Sequence, residues 1–475
     1  MSTTNGRIAA GAGGAAVRVP FVLAGRVVEG DAVHHASRDL GAAFVTPALD
    51  FARMARPRSE PSPAEGLKTA EIIAFLAETG RHMTLANPHL REAIERTAPV
   101  SAIPPAMLER CFTRLADVFD RESLEITVES DVGAAALDGW KLLRGIGGRR
   151  SYVRACPPRL VHVMAGNSPI VAALTIAHGA LTKGVHLLKM ASNDLFTATA
   201  ILRVMADIDP EHPVLRSFSA VYWRGGDERV ESVLYRPHFF DKIVVWGGDK
   251  AVRHVQKYIG PGLQLVSWDP KTSISMIGRE AFASEAILAE VAALAATDAT
   301  LMNQDACIAS RYQYVEGSIE QVDCYCELLS RELAKERYYA SARGLPTPAP
   351  IREEVDVLRH LEPEFRVWGD YSGAGLVIRS EEPLGFFPDC RTVNVVPVAT
   401  LADAVRYANV ATQTVGIHPA ERKAELRDRL ADQGVQYVGC LGHVMELPPG
   451  LPHDGTYELN RLVRWVADMG PPTGR

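Results

Sequence analysis

The sequence predicts an α/β fold: a doubly wound parallel-sheet domain that binds a cofactor, followed by a second α/β domain that carries the catalytic residues. Three observations predict it. Between 158 and 267 short runs of Val, Ile and Leu alternate with helical stretches of about a dozen residues. Parallel neighbours need such crossovers, and helices on both faces bury their strands. The 475 residues exceed the ~250–300 at which a single core stops growing, so at least two domains are expected. Apolar residues at 47% and charged residues at 23% are the composition of an ordinary globular chain.

Taken in order, VRVPFVLAGRVVEG (17–30) reads as a hairpin and 62–125 as mainly helical. RLVHVMAG, VHLLKMAS, FSAVYW, DKIVVWGG and LQLVSW read as five strands. The helices between them are SPIVAALTIAHGALTKG, DLFTATAILRVMADID, DERVESVLY and DKAVRHVQKYIG. An amphipathic helix follows at 283–300, then a long helix near 318–340, a proline-rich bend at GLPTPAP, and strands at GLVIRS and TVNVVPV. LADAVRYANVA, ERKAELRDRLADQG and a terminal LNRLVRWVADM are expected to be helices. The expected division is a tail and hairpin over 1–60, a dinucleotide-binding domain over 61–270, a cysteine-bearing domain over 271–440, and a segment 441–475 returning to the cofactor domain.

Other function classes recede on charge and patterning. With 57 acidic and 51 basic residues the net charge is −6, which offers nucleic acid or an anionic membrane no basic footprint. No window reaches the ~18 uninterrupted apolar residues of a membrane span; IVAALTIAHGALTKG is broken by His178 and Lys183. The glycine-rich start lacks the apolar region of an export signal and reads as a tail. Seven widely spaced cysteines fit reduced thiols, so a cytoplasmic protein is expected. No Cys or His spacing suggests a metal site.

Sheets of this kind bind ligands beyond the carboxyl ends of their strands. Four small or polar loops stand there: AGNSP (165–169), KMASND (189–194), WRGGD (223–227) and WGGDK (246–250). Glycine permits close backbone approach, and a following helix start offers free N–H groups to phosphate. No G-x-G-x-x-G is present, and WGGDK alone reads equally as a bare strand-to-helix turn. The loop NQDACIASRYQYVEG (303–317) places Cys307 between a polar run and a strand. By position alone Cys307 reads as an inert buried thiol.

The ordered motifs change that reading. NQDACIASRYQYVEG is similar to the N-Q-G-Q-x-C nucleophile loop of the aldehyde dehydrogenase superfamily, GNSP to its asparagine loop, LLKMAS to its L-K-P-A-E strand, and WGGDKAV to its glycine-rich turn. SWDPKTSISMI occupies the place of E-L-G-G-K-S-P, and EEPLGFFP resembles E-x-F-G-P. VPFVLAGRVVEG, EIIAFLAETGRHM, HPVLRSFSAVYW and HDGTYELNRLVRWV resemble the LuxC-type fatty acyl-CoA reductases within that superfamily. The resemblance covers nearly the whole chain and implies an aldehyde-dehydrogenase-like fold, a dimer or larger homo-oligomer, and an aldehyde-forming reductase.

It also implies roles. Cys307 attacks the thioester carbonyl and becomes acylated. Asn167 donates its amide to the oxyanion, though it also fits a helix N-cap or turn residue. Lys189, Ser192, Gly247 and Gly248 bind the dinucleotide. Glu382 matches the residue that contacts the nicotinamide ribose, and otherwise reads as a surface carboxylate. Arg224 adds charge near Ser192 or is simply solvated.

Two departures sharpen the expectation. The glutamate that helps water attack the acyl-enzyme in hydrolytic relatives is replaced by Ser267 or Trp268, with Asp269 next, so thiol exchange or reduction is favoured over hydrolysis. The glutamate that binds the adenosine ribose in NAD-preferring relatives is replaced by Ser192. A carboxylate repels a 2′-phosphate, whereas Lys189 and Ser192 donate to it, so NADPH is expected. The expected substrate is a fatty acyl-CoA. Alternatives are a carrier-protein-bound acyl thioester, an oxidative aldehyde dehydrogenase and a non-catalytic scaffold.

Overall fold

The computed structural model describes residues 16–144 and 150–470, so nearly all of the expected N-terminal tail lies outside the described residues. The chain forms two units, 1–269 with 449–475, and 270–448.

In the first unit five parallel strands run in the spatial order Gln264–Trp268, Lys242–Trp246, Arg159–Val163, Val185–Lys189, Phe218–Val221. The chain order along this row is 5-4-1-2-3, so the winding reverses between the first and fourth strands. The middle strands are buried throughout, which is why they read as continuous apolar runs. Phe21–Leu23 and Arg26–Val28 form the expected hairpin through Ala24 and Gly25, both left-handed at φ 49° and 78°. Phe21–Leu23 then pairs antiparallel with the third strand, so the hairpin joins the cofactor sheet, while Val17–Arg18, Ala43–Thr46 and Val33–Ala36 form a separate three-stranded sheet. Helices Ile170–Leu181 and Thr197–Ile208 bury their apolar residues in one continuous core with the sheet.

Two histidines sit in that core. His162 Nε2 lies 3.1 Å from His186 Nδ1, and the His186 ring stacks on Phe218 at 4.6 Å. Burial lowers both, His186 to about 3. An unfolded histidine binds its proton near ~6.5, so the stability held by these neutral rings is whole above that pH and drains as pH falls toward 3. At ~1.4 kcal/mol per pH unit, going from about pH 7 to 5 is expected to remove ~2 kcal/mol through His186, with His162 acting in the same direction. Urea titrations at the two pH values measure it, and the His162→Gln/His186→Gln pair should flatten the slope.

The terminal helix is shorter than expected. Glu458–Leu462 is helical, but Arg464–Asp468 is a strand paired antiparallel with Arg150–Cys156, which in turn pairs with Lys141–Arg144. RWVAD suits either state by itself, and an available partner strand decides it.

The second unit holds a seven-stranded sheet in the order Arg366–Asp370, Gly375–Arg379, Thr392–Val398, Ser310–Glu316, Thr272–Ile277, Thr412–His418, Tyr437–Cys440. Only the Arg366–Asp370 edge is antiparallel. Glu285–Ala299 and Ile319–Leu333 pack on one face, and Leu401–Ala404 with Lys423–Asp432 on the other. LADAVRYANVA is thus one helical turn continued by a tight turn over Val405–Tyr407, not a full helix. The unit ends at 448 rather than 440. Leu441 N–H donates to Ile417 O at 3.0 Å, Gly442 N–H to Asp298 Oδ2 at 2.8 Å, and Val444 packs with Leu301 and Ile308. Among the described residues no helix is long and apolar enough to cross a membrane.

Candidate active site

In the first unit the register brings Val163, Lys189, Val221 and Val245 to one level, so four loops leave the sheet together. The crevice at the winding reversal opens between the first-strand loop carrying Asn167 and the fourth-strand turn Gly247-Gly248. Asn167 is half-buried and stands two residues before Pro169, the N-cap position of the helix that follows. Gly166 explains how this loop meets its neighbour: a Cβ there would stand 2.0 Å from Asn193 Oδ1 and 2.9 Å from Ala191 Cβ. Asn193 is fixed in turn, its amide donating to Asp39 at 2.8 Å.

Lys189 lies at the end of the second strand with its ammonium 5.7 Å from the ring centres of both Tyr222 and Trp223. Burial lowers it to about 8, against the pull of the Glu231 carboxylate. Ser192 is half-buried, and its Oγ accepts the Arg38 N–H at 3.0 Å while interacting with the Tyr222 hydroxyl. Arg224 is exposed and acts electrostatically on Tyr222. Lys189, Ser192 and Arg224 therefore gather around Tyr222, and Arg38 joins them from a segment about 150 residues away. Glu231 braces the loop: it accepts the Trp223 indole N–H at 3.3 Å and Gly226 N–H at 3.1 Å, and pairs with His254 at 2.5 Å. Above Gly248 a Cβ would meet nothing within 4 Å, so the turn is open to a ligand. These features fit a dinucleotide: a buried ammonium whose carboxylate neighbour Glu231 is taken up by Trp223, Gly226 and His254, an open glycine turn, and clustered donors.

The strand Gln264–Trp268 ends on half-buried Ser267 and buried Trp268, with exposed Asp269 after it beside Arg461. No carboxylate stands at the end of that strand itself.

In the second unit Cys307 is exposed at the amino end of strand Ser310–Glu316, so the buried-thiol alternative does not hold. Met302, Asn303 and Gln304 are all left-handed, at φ 52°, 56° and 74°. Three such residues in succession are costly unless their surroundings over-determine them. Ser341 donates twice to Asn303 Oδ1 at 3.0 Å, Gln304 Nε2 donates to Thr392 O at 2.8 Å, and buried Arg311 donates to Gln304 O at 2.6 Å. Arg311 also holds Pro388 O and Asp389 at 2.9 Å and lies 4.6 Å from the Phe387 ring centre. Arg391 ties Ser341 O at 2.7 Å, and Ser273 Oγ donates to Cys307 O at 2.9 Å. Arg311, Arg391 and Ser341 escape sequence reading because nothing local marks them; an arginine on an otherwise buried strand is the only signal Arg311 offers.

Glu382 is exposed. Its carboxylate faces Arg406 at 3.1 Å and accepts the Tyr407 hydroxyl at 2.6 Å. It lines a cavity of about 460 Å³ with Glu354, Glu364 and Glu381, a lining that repels phosphate. Among the described residues no group of three or more His, Cys, Asp or Glu side chains is arranged to hold a metal ion.

The two sheets and their loops define the aldehyde dehydrogenase fold. A putative aldehyde dehydrogenase from Burkholderia cenocepacia superposes with a TM-score of 0.72 over 97% of this chain and 100% of that one at 16% identity. An NADP-dependent glyceraldehyde-3-phosphate dehydrogenase from Bacillus halodurans gives 0.69 over 95% and 99% at 14% identity. Within that fold the chain belongs to the acyl-CoA reductase (LuxC) family, whose model matches residues 64–465. It is 30% identical over 361 residues to the long-chain acyl-protein thioester reductase of Aliivibrio fischeri, covering 74% of this chain and 71% of that protein. The Vibrio harveyi protein of the same name is 27% identical over 413 residues, 85% and 83%. The family's chemistry is reduction of an acyl thioester.

Proposed function

We propose that this protein reduces a long-chain acyl thioester to the free aldehyde through an acyl-Cys307 intermediate, taking the acyl group from a protein donor and using NADPH. The carrying observation is Cys307 itself, an exposed thiol on a loop of three left-handed residues braced by two buried arginines. The Cys307 thiolate exchanges with the donor thiol, a near-balanced reaction between thioesters. Asn167 is the proposed amide donor to the oxyanion, beside the Cys307 N–H. When bound, the reduced nicotinamide supplies the hydride, and collapse of the cysteine-bound thiohemiacetal returns the thiolate. The names of the relatives favour a protein-bound donor over the acyl-CoA expected from sequence, while the family description keeps acyl-CoA as a second donor. NADPH is supported by the cluster of Lys189, Ser192 and Arg224 in place of a carboxylate, with Gly247 and Gly248 at the pyrophosphate turn. Glu382 reaches a cofactor only by releasing Arg406 and Tyr407. A reduced, cytoplasmic setting goes with this chemistry.

The test is an aldehyde assay with NADPH, offering the same tetradecanoyl group on CoA and as a protein thioester. Aldehyde from the protein thioester at the higher kcat/KM supports the reading. Acid as the main product rejects it.

We extend the reading to self-association. Trp140, Leu142, Leu143, Trp465 and Val466 stand exposed beside or on the two faces of the small three-stranded sheet, apolar surface suited to a second copy. Light scattering is expected to give at least twice the chain mass of 51.6 kDa, and a 51.6 kDa particle at micromolar concentration would reject it.

A further inference from the structure

The turn between strands Val33–Ala36 and Ala43–Thr46 has no role in the mechanism above, yet the fold sets it on the loop that ends the second strand of the cofactor sheet. Arg38 N–H donates to Ser192 Oγ at 3.0 Å, and the Asn193 amide donates to Asp39 Oδ2 at 2.8 Å. Ala102 N–H reaches the same oxygen at 3.1 Å. Next to the turn, His35 stacks on Phe44 at 5.1 Å and meets the Tyr222 ring edge-on at 4.8 Å, with Phe44 5.0 Å from Tyr222. Turn, second-strand loop and third-strand end are therefore one packed assembly, all within the first unit. The turn lies before residue 64, where the match to the family begins.

Two features of this assembly call for an anion. The first is Lys189, whose buried ammonium rests against the Tyr222 and Trp223 rings and makes no hydrogen bond to the described residues. A Cβ at Gly225 would meet nothing closer than that ammonium, at 3.9 Å, so the third-strand loop passes over the charge with bare backbone. The second is Arg38. Only its Nε is committed, to Asp39 Oδ1 at 2.9 Å, and its two terminal nitrogens donate to nothing among the described residues. Its side chain is 63% exposed, against 13% for that of Asp39. Asp39 thus holds the guanidinium by one edge, while sharing its own charge among Arg38, Asn193 and Ala102. With Glu231 taken up by Trp223, Gly226 and His254, the charge left for a ligand is positive.

An adenosine 2′-phosphate is the anion this chemistry fits. A phosphate monoester carries about −1.5 to −2 charge at neutral pH and three strong acceptor oxygens. An arginine fork donates to two such oxygens at once, which a lysine ammonium does only as a point charge. Ser192 adds a hydroxyl whose place is fixed by the Arg38 N–H that it accepts. A free ribose hydroxyl offers the guanidinium no charge, so the interaction goes to the phosphorylated nucleotide alone and separates NADPH from NADH.

We infer that Arg38, held by Asp39 on a turn of the amino-terminal sheet, is a specificity-determining residue that clamps the 2′-phosphate of NADPH at the loop of Ser192; this rests on the cofactor reading above. Titration calorimetry on the full chain tests it without turnover. The probes are adenosine 2′,5′-bisphosphate and adenosine 5′-monophosphate, and the proteins are wild type, Arg38→Gln and Arg38→Lys. Wild type should bind the bisphosphate at least ~30-fold more tightly than the monophosphate. Arg38→Gln should lose ~10–100-fold in affinity for the bisphosphate and stay within twofold of wild type for the monophosphate. Arg38→Lys, which keeps the charge without the fork, should fall between the two. The inference is overturned if Arg38→Gln binds the bisphosphate within threefold of wild type, or if it loses both probes alike, since the turn then only shapes the pocket. Wild type that shows no preference for the bisphosphate defeats the NADPH reading instead, and the inference with it.

Discussion

Cys307→Ala is expected to lower aldehyde formation by at least ~10⁴-fold and to leave the fold unchanged. The two halves of this result come from different parts of the structure. Activity is lost because a methyl group forms no acyl bond. Stability is kept because Cys307 is exposed and its backbone carbonyl, which alanine retains, is what Ser273 holds. A surface truncation of this kind shifts stability by no more than ~0.5 kcal/mol. Intact-mass spectrometry after incubation with acyl thioester should show one acyl group on wild type and none on the variant. A variant that keeps a tenth of the wild-type rate would remove Cys307 from the mechanism.

Ser192→Glu is expected to reverse cofactor preference. Ser192 shares its surroundings with Tyr222, Arg38 and Arg224, and Lys189 presents a buried ammonium against the same Tyr222. A carboxylate introduced there faces the 2′-phosphate of NADPH, a like-charge contact costing several kcal/mol, and offers acceptors to the two ribose hydroxyls of NADH. At ~3 kcal/mol the ratio of kcat/KM for NADPH over NADH falls roughly 100-fold, mostly through KM for NADPH. Steady-state kinetics with both cofactors measures it, and an unchanged ratio would separate Ser192 from the adenosine site. Lys189 makes the sharper control because burial already disfavours its charge. Binding a phosphate restores the incentive to hold the proton, so Lys189→Met should weaken NADPH more at pH 7 than at pH 9.

Much of this was legible beforehand, and the reason is local. The alternation of apolar runs and helices over 158–267 foretold five parallel strands in chain order, because strand and helix periods depend on near neighbours. VRVPFVLAGRVVEG announced a hairpin, and the strand-end loops were located within a residue or two. The reading failed where one sequence suits two local states, as in RWVAD and VRYANV, and a partner strand or a crowded surface chose between them.

Side-chain partnerships were hidden for a different reason. Glu382 reads as a cofactor ligand from its motif, yet Arg406 and Tyr407, more than twenty residues on, compete for its carboxylate. Gly166 looks like loop flexibility, and its actual constraint is Asn193 lying where a Cβ would go.

By itself the sequence determined the two-sheet architecture, the position of the Cys307 loop before its strand and the absence of a carboxylate in the Ser267-Trp268 strand end. Those properties follow from hydrophobic period, turn residues and the identity of single positions. Only the tertiary structure decided that residues 302–304 stay left-handed and that Arg38 reaches Ser192. A folded contact depends on the direction of two side chains brought together by long loop closure, and no periodicity along one stretch of chain encodes that meeting.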